Sequence, residues 1–349
     1  MNAIQRISAA ETESDRYGAV IDVRSPVEFA ADHLPGAVNL PVLDDAERAE
    51  VGTIYKHVSH FEARRRGAAL IAANVGRHLE GYFAGRGGEL FPLVYCWRGG
   101  LRSMGMALIL QAVGWRVAVI NGGYKAWRQY VLGSLPGLCQ RFRWVVLSGL
   151  TGVGKTRLLR MMEEEGGQVL DLEALACHRG SLLGGMEEAQ PPQRLFESRL
   201  HARLSAFSPD HTVYVEAESA RVGKIHLPPG LRAVMDEAPG IEIVAGMERR
   251  VRWLLEDYRE QLASGPPVEQ VLRPLARLRG HAVVDSWVRL AVAGDWEGLA
   301  RALLEQHYDP AYRRKFDGQR RHMLGVVSVG AGETADLLQA VEEIRGAEG

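Results

Sequence analysis

Short apolar runs and amphipathic stretches alternate along the first part of the chain. AVIDV (Ala19 to Val23), PLVYC (Pro92 to Cys96) and RVAVING (Arg116 to Gly122) are rich in β-branched residues and read as strands. Between the last two, LRSMGMALILQAVG reads as a buried helix that Gly114 ends. Strands alternating with helices predict an α/β fold with a parallel sheet and helices on its faces. Leu132 to Gln140 (LGSLPGLCQ) holds glycines and a proline with no clear period and is expected to contain a linker. RFRWVVLSG (Arg141 to Gly149) then reads as a strand, with a glycine-rich turn and a helix behind it, the opening of a second α/β unit. From Met247 the pattern is helical and arginine-rich, with Met247, Val251, Leu254, Leu255, Tyr258 and Leu262 on one stripe. The expected organisation is an α/β domain over 1–135, a linker over 136–140, a second α/β domain over 141–245, and a helical region over 246–349 packed on the second domain.

Composition narrows the class. A chain of 349 residues with 46% apolar content can bury two cores, and a formal net charge of −1 excludes a grossly basic nucleic-acid coat while leaving room for local patches. Cys96, Cys139 and Cys177 are too few and too far apart for a disulfide framework or a zinc site, which fits a reducing compartment. The N-terminus lacks the apolar core of a signal peptide, and the run from Met104 to Ile120 is interrupted by Gln111, Gly114 and Arg116. A soluble cytoplasmic protein without a membrane partner is expected.

Cys96 ends a strand and opens the loop Trp97-Arg98-Gly99-Gly100-Leu101-Arg102-Ser103, which runs into a helix. Glycines let successive N–H groups turn inward as an anion nest, and the helix N-terminus adds positive potential. Arg98 and Arg102 are expected to add charge. A thiol in such a place should titrate low and act as a nucleophile toward sulfur, selenium or phosphorus. A lone strand-end cysteine is ordinarily an inert apolar residue; two glycines and two arginines behind it tip the reading to chemistry. Cys139 and Cys177 lack that setting. His33, ahead of Leu-Pro-Gly, reads as a turn-fixing residue rather than a base, and Asp22 with Arg24 as a structural pair.

Gly149-Leu150-Thr151-Gly152-Val153-Gly154-Lys155-Thr156 fits G-x-x-x-x-G-K-[ST], between a strand and a helix as the pattern requires. Gly149, Thr151, Gly152, Val153 and Gly154 would cradle a diphosphate with their backbone, Lys155 would neutralise it, and Thr156 would hold a magnesium ion. ATP or GTP is the default ligand. Glu216 and Glu218 in HTVYVEAES, and Asp171 in QVLDLE, are candidate magnesium partners or plain strand-end polar residues. DLEALACHRGS brings Asp171, Glu173, His178, Arg179 and Ser181 together behind a strand, a candidate second site with Glu216 and Glu218.

IDVRSPVEFAADHLPGAVNLP (Ile21 to Pro41) and INGGYKAW (Ile120 to Trp127), in register with the cysteine, resemble rhodanese domains over about the first 135 residues. Arg102 lies one residue further from Cys96 than in common single-domain rhodaneses, a spacing similar to that of phosphatase-like members and tyrosine phosphatases. Phosphatase chemistry therefore stays open, with Asp44 or Asp45 as acid, although Tyr95 stands where those phosphatases carry histidine. YKHVSHFEARRRGA (Tyr55 to Ala68), CWRGGLRS, NGGYKAW, GLTGVGKT, DLEALACHRGS, VEAESARVGKIHLP (Val215 to Pro228) and HYDPAYRR (His307 to Arg314) resemble, in order, segments of the tRNA 2-selenouridine synthases.

That resemblance implies replacement of sulfur by selenium at a wobble 2-thiouridine of tRNA. Selenophosphate would be the donor, and an S-geranyl intermediate would form from geranyl diphosphate. It implies no tightly bound cofactor, magnesium as an optional ion, and a selenophosphate-producing enzyme as a partner. Arg249, Arg250, Arg252, Arg273, Arg277, Arg279, Arg313 and Arg314 would offer phosphate contacts to the tRNA backbone. The readings still open beside it are a sulfurtransferase fused to an ATPase, a cysteine phosphatase fused to a kinase-like domain, and a non-enzymatic P-loop switch with a docking module.

Overall fold

The computed structural model describes residues 3–13, 15–179, 189–259, 262, 268–316, 321–330 and 334–347. The chain divides into two compact units: 1–137 with 191–205, and 138–190 with 206–349.

In the first unit, β1 (Gln5–Ile7), β2 (Ala19–Asp22), β3 (Val38–Asn39), β4 (Pro92–Tyr95) and β5 (Ala118–Ile120) form a parallel sheet in the order β1-β5-β4-β2-β3. The helices are α1 (Pro26–Ala31), α2 (Asp45–His57), α3 (His60–Glu80), α4 (Leu101–Val113) and α5 (Gly123–Cys139). Alternation along β4 sends Leu93 and Tyr95 into one core with Tyr124 and Trp127 of α5, and Val94 into the other with Met106 and Leu110 of α4. Each such fully buried side chain contributes about 1.5–3 kcal/mol. β4 is central, so the loop after it, which carries Cys96, is flanked by the loops after β5 and β2.

The expected linker is not one. α5 runs on to Cys139, and Trp127, Val131, Leu135 and Leu138 are buried along it at helical spacing. Pro136 deprives the Leu132 carbonyl of its usual donor. Leu132 lies on the exposed side of the helix, which makes the proline tolerable.

The second unit carries β6 (Trp144–Ser148), α6 (Lys155–Glu164), β7 (Gln168–Leu170) and α7 (Leu172–Ala176). α8 (Gln193–Ser205) follows but belongs to the first unit, another correction to the expected boundaries. Leu195, Phe196, Leu200 and Leu204 are buried along it, Ser198 donates to Asp32 Oδ1 at 2.8 Å, and Arg128 pairs with Glu197. The chain returns through β8 (Val213–Glu216), the β9 (Arg221–Val222) and β10 (Ile225–His226) ribbon, α9 (Pro229–Glu237), β11 (Gly240–Val244) and α10 (Met247–Asp257). Short helices follow, and then β12 (Met323–Ser328), which pairs parallel with β11.

The sheet order is β12-β11-β6-β8-β7, all parallel, with β6 central. The region 246–349 is thus not purely helical: β12 is an edge strand, and the helix Thr334–Gly346 sends Ala340, Val341 and Ile344 into the core that α6 fills with Leu158, Leu159 and Met162. Among the described residues no helix is long and apolar enough to cross a membrane.

Candidate active site: a cysteine loop and a phosphate cradle

Cys96 follows β4 and is almost fully buried. Ser103, on the first turn of α4, lies with its Oγ 3.2 Å from both Cys96 Sγ and the Gly100 carbonyl. The Gly122–Gly123 turn after β5 presses on the loop: Tyr124 N–H donates to the Cys96 carbonyl at 2.9 Å and Lys125 N–H to that of Trp97 at 3.0 Å. Gly99 takes a left-handed φ of +67°, and a Cβ there would come within 2.7 Å of the Ile120 carbonyl. Gly100 caps α4, and Leu101, its first residue, is exposed.

Arg98 is exposed and has no side-chain partner among the described residues. Arg102 departs from expectation. It forms an ion pair with Glu28 on α1 at 2.6 Å, so its charge is already countered, and it ties α4 to α1. Burial raises the Glu28 carboxyl, and the Arg102 hydrogen bond and charge outweigh it and leave it lowered. Glu28 is a site residue that the sequence offered only as part of a resemblance.

Beneath the loop, Asp22 and Arg24 form a fully buried pair, and Arg24 lies 4.0 Å from the Tyr124 ring centroid. His33 Nδ1 bonds to the Phe29 carbonyl and its ring stacks on Phe29, a turn-fixing role. Asp44 caps α2, Asp45 accepts from Val27 N–H, and the Tyr95 hydroxyl accepts from Leu34 N–H, so each residue weighed for phosphatase chemistry has a structural task. Burial pushes the Cys139 thiol up to about 12.

In the second unit the loop after β6 forms the candidate phosphate cradle. Gly154 is left-handed at the head of α6, and a Cβ on it would lie 2.5 Å from the Trp253 ring of α10. Val153 is buried under the loop, and Tyr312 OH meets Gly149 N–H at 2.7 Å. Lys155 Nζ bonds to the carbonyls of Gly149 and Leu150. Thr156 Oγ1 donates to Glu216 Oε1 at 2.5 Å, at the end of the neighbouring strand β8. Glu218 lies beyond the end of that strand rather than on it.

Gly149, Thr151, Gly152, Gly154, Lys155 and Thr156 line a cavity of about 260 Å³, whereas Val153, expected beside them, is buried and not part of its lining. Asp171, Arg179, Glu216 and Glu218 line it too, so they are a wall of the cradle rather than a second site. His178 is not in that lining, and Ser181 lies outside the described residues. Asp171 Oδ1 accepts from Ala174 N–H as the cap of α7. Sequence reasoning missed Arg157, Arg160, Tyr308 and Tyr312 in the lining. The two arginines follow Lys155 on the first turns of α6, and the two tyrosines stand in HYDPAYRR. Arg157 Nε is buried without a hydrogen-bond partner, while Arg157 Nη2 pairs with Glu256 and Asp257.

Glu173, also in the wall, is pushed up to about 9 by burial and by the charges of Glu216, Glu218 and Asp171. The folded unit therefore holds a proton that the unfolded chain releases near the ordinary carboxylate range. The resulting stability is complete below pH 4.5 and is lost as pH rises toward 9. Thermal melts from pH 6 to 9 should show the second unit weakening by up to about 1 kcal/mol per pH unit. Glu173→Gln should flatten that slope, and an equal slope in the variant would refute the assignment.

The eight candidate arginines differ in their surroundings. Arg250 is buried, pairs with Asp309 at 2.5 Å and donates to the Thr151 carbonyl, so it braces the cradle and is not a surface phosphate contact. Arg273 pairs with Glu269 and Asp285, and Arg279 bonds to His307. Arg249 lies over the Trp253 ring, and Arg314 Nε donates to the Pro310 carbonyl. Arg252, Arg277 and Arg313 are exposed without a partner among the described residues.

Residues 6–130 match the rhodanese-like domain, and residues 142–267 match the family described as the tRNA 2-selenouridine synthase AAA domain. Among curated proteins, the tRNA 2-selenouridine synthase of Nitrosomonas europaea is 36% identical over 263 residues, covering 74% of this chain and 68% of that protein. That of Marinobacter nauticus is 36% identical over 336 residues, covering 84% and 87%, and that of Pseudomonas syringae pv. syringae is 31% identical over 353 residues, covering 93% and 94%. The chain carries both domains in order and is similar to these relatives over most of its length, and it belongs to the tRNA 2-selenouridine synthase family.

Proposed function

We propose that this chain is a tRNA-modifying transferase that exchanges the sulfur of a wobble 2-thiouridine for selenium, with selenophosphate as donor and geranyl diphosphate as activating co-substrate. The observation that carries the reading is the cradle: a P-loop whose cavity is rimmed by Lys155, Arg157, Arg160 and Arg179, with Arg157 Nε buried and unpartnered. Such a site binds a diphosphate and stabilises it as a leaving group without hydrolysing a nucleotide. The thiouridine sulfur attacks C1 of the geranyl group, the C1–O bond breaks, and the diphosphate departs with the electron pair. The hard oxygen donors Thr156 and Glu216 suit magnesium, which when bound would bear part of that charge.

Alkylation turns a poor leaving group into a thiol. Selenium then bonds to ring carbon C2, geranylthiol leaves, and the phosphate of the donor is released to water. The Cys96 loop holds the selenophosphate anion with its amides and Arg98, and Cys96 takes part in the delivery. Arg252, Arg277 and Arg313 are offered as tRNA contacts, and an enzyme that makes selenophosphate is the expected partner.

The test is mass spectrometry of tRNA nucleosides from cells lacking the protein and complemented with variants. Cys96→Ala should lose selenouridine and keep or accumulate the geranylated nucleoside. Lys155→Ala should lose both. Normal geranylation in Lys155→Ala would overturn the role given to the cradle.

A further inference from the structure

The hairpin of α2 and α3 in the first unit ends in an exposed tip. Only Val58 and Ser59 connect the two helices. Both of their N–H groups donate to the Ile54 carbonyl, and Ser59 Oγ accepts from Glu62 N–H as the cap of α3. The tip is therefore firmly held, yet its apolar side chains meet water. Phe61 is 72% exposed, Val58 70% and Tyr55 half exposed, whereas apolar surface residues ordinarily lie scattered. Tyr55 stacks in parallel on His60, with ring centroids 4.1 Å apart.

Cations are interleaved with these rings. Lys56 and Arg64 are exposed with no partner among the described residues. Arg65 and Arg66 pair with Glu62 and Glu50, but exposed pairs hold weakly and give way to a phosphate. A protein partner covering the tip would strip water from the lysine, which interface cores avoid. A single-stranded nucleic acid pairs such cations with its phosphates while its bases cover the rings. Only unpaired nucleotides can do so, because a duplex keeps its base faces in its own stack.

The tip also stands on the Cys96 side of the sheet. A Cβ on Gly105 of α4 would lie 2.9 Å from Ile71 of α3, and Phe83 meets Trp115 beyond the C-terminal ends of the same two helices. The two helices thus run side by side in one direction. α3 begins eleven residues before Ile71 and α4 only four before Gly105, so α3 reaches about 10 Å further at the end where the Cys96 loop lies.

We infer that the tip of this hairpin is a stacking platform for unpaired bases of an RNA loop, with Phe61 and Tyr55 against the bases and Lys56 and Arg64 on the phosphates. This rests on the reading of tRNA as the substrate.

Fluorescence anisotropy with the full-length protein tests it, using an anticodon stem–loop and a blunt RNA duplex with the same number of phosphates. Phe61→Ala should weaken the stem–loop about tenfold and leave the duplex within about twofold. Phe61→Trp should keep the stem–loop affinity and Phe61→Leu should not, which separates a ring from plain apolar contact. Lys56→Ala with Arg64→Ala should weaken both probes alike and flatten the salt dependence. Unchanged stem–loop binding in Phe61→Ala, an equal loss on both probes, or full affinity in Phe61→Leu overturns the platform and leaves the tRNA reading standing. A dimer in sedimentation that Phe61→Ala dissociates also overturns it, and makes the tip a contact between two copies of the chain. Absence of binding to either RNA by wild type overturns the tRNA reading itself.

Discussion

Asp22→Ala is expected to cost the first unit about 3–5 kcal/mol, a large part of the stability of a domain this size. Asp22 is fully buried at the end of β2, and its two oxygens take the Arg24 backbone N–H, Nε and Nη2. Arg24 is 1% exposed, with one further bond to the Asp32 carbonyl and the faces of Tyr95 and Tyr124 around it. Removing the carboxylate leaves a guanidinium that water cannot reach. The loss comes mostly from that stranded charge rather than from the ion pair, since a buried pair roughly repays its own desolvation. Asp22→Leu combined with Arg24→Met should therefore recover most of the loss. Urea unfolding of the three proteins measures it, and a loss under 1 kcal/mol in the single variant would refute the account.

Both candidate loops were legible because each is written in consecutive residues. A strand, a glycine-rich turn and a helix N-terminus follow one another around Cys96 and again around Lys155, and local chemistry fixes their geometry. Residues whose task depends on a distant partner were not legible. Arg250 sits among exposed arginines in sequence, but its partner Asp309 is 59 residues away and the pair is buried. Arg102 looked like a free cation until α1 brought Glu28 to it. The expected linker hid a helix because Pro136, Gly133 and Gly137 masked the stripe from Trp127 to Leu138. α8 shows the same limit at larger scale: its own residues show that it is a helix, but not which unit it will join. β12 escaped notice because its residues are mostly half-buried or exposed, as an edge strand allows, so it lacked the apolar run that marked the central strands.

Gly123→Ala is expected to reduce selenium incorporation by at least about a hundredfold, the usual consequence of displacing reacting groups by an ångström. Gly123 has a left-handed φ of +60°, and a Cβ on it would lie 2.2 Å from the Cys96 carbonyl, 2.5 Å from Gly99 N and 3.0 Å from Arg98 N. All three are backbone atoms of the Cys96 loop, so no side chain can swing away and the loop itself must move. The bond from Tyr124 N–H to the Cys96 carbonyl lies in the path of that movement. The cradle belongs to the other unit, so pyrophosphate affinity and the geranylated nucleoside should persist. Gly133→Ala, in open space on the same helix, is the control and should keep full incorporation. If Gly123→Ala retained more than a tenth of wild-type selenouridine, the position of the Cys96 loop would not be what limits the second transfer. Loss of the geranylated nucleoside together with selenouridine would show instead that the first transfer also needs this loop.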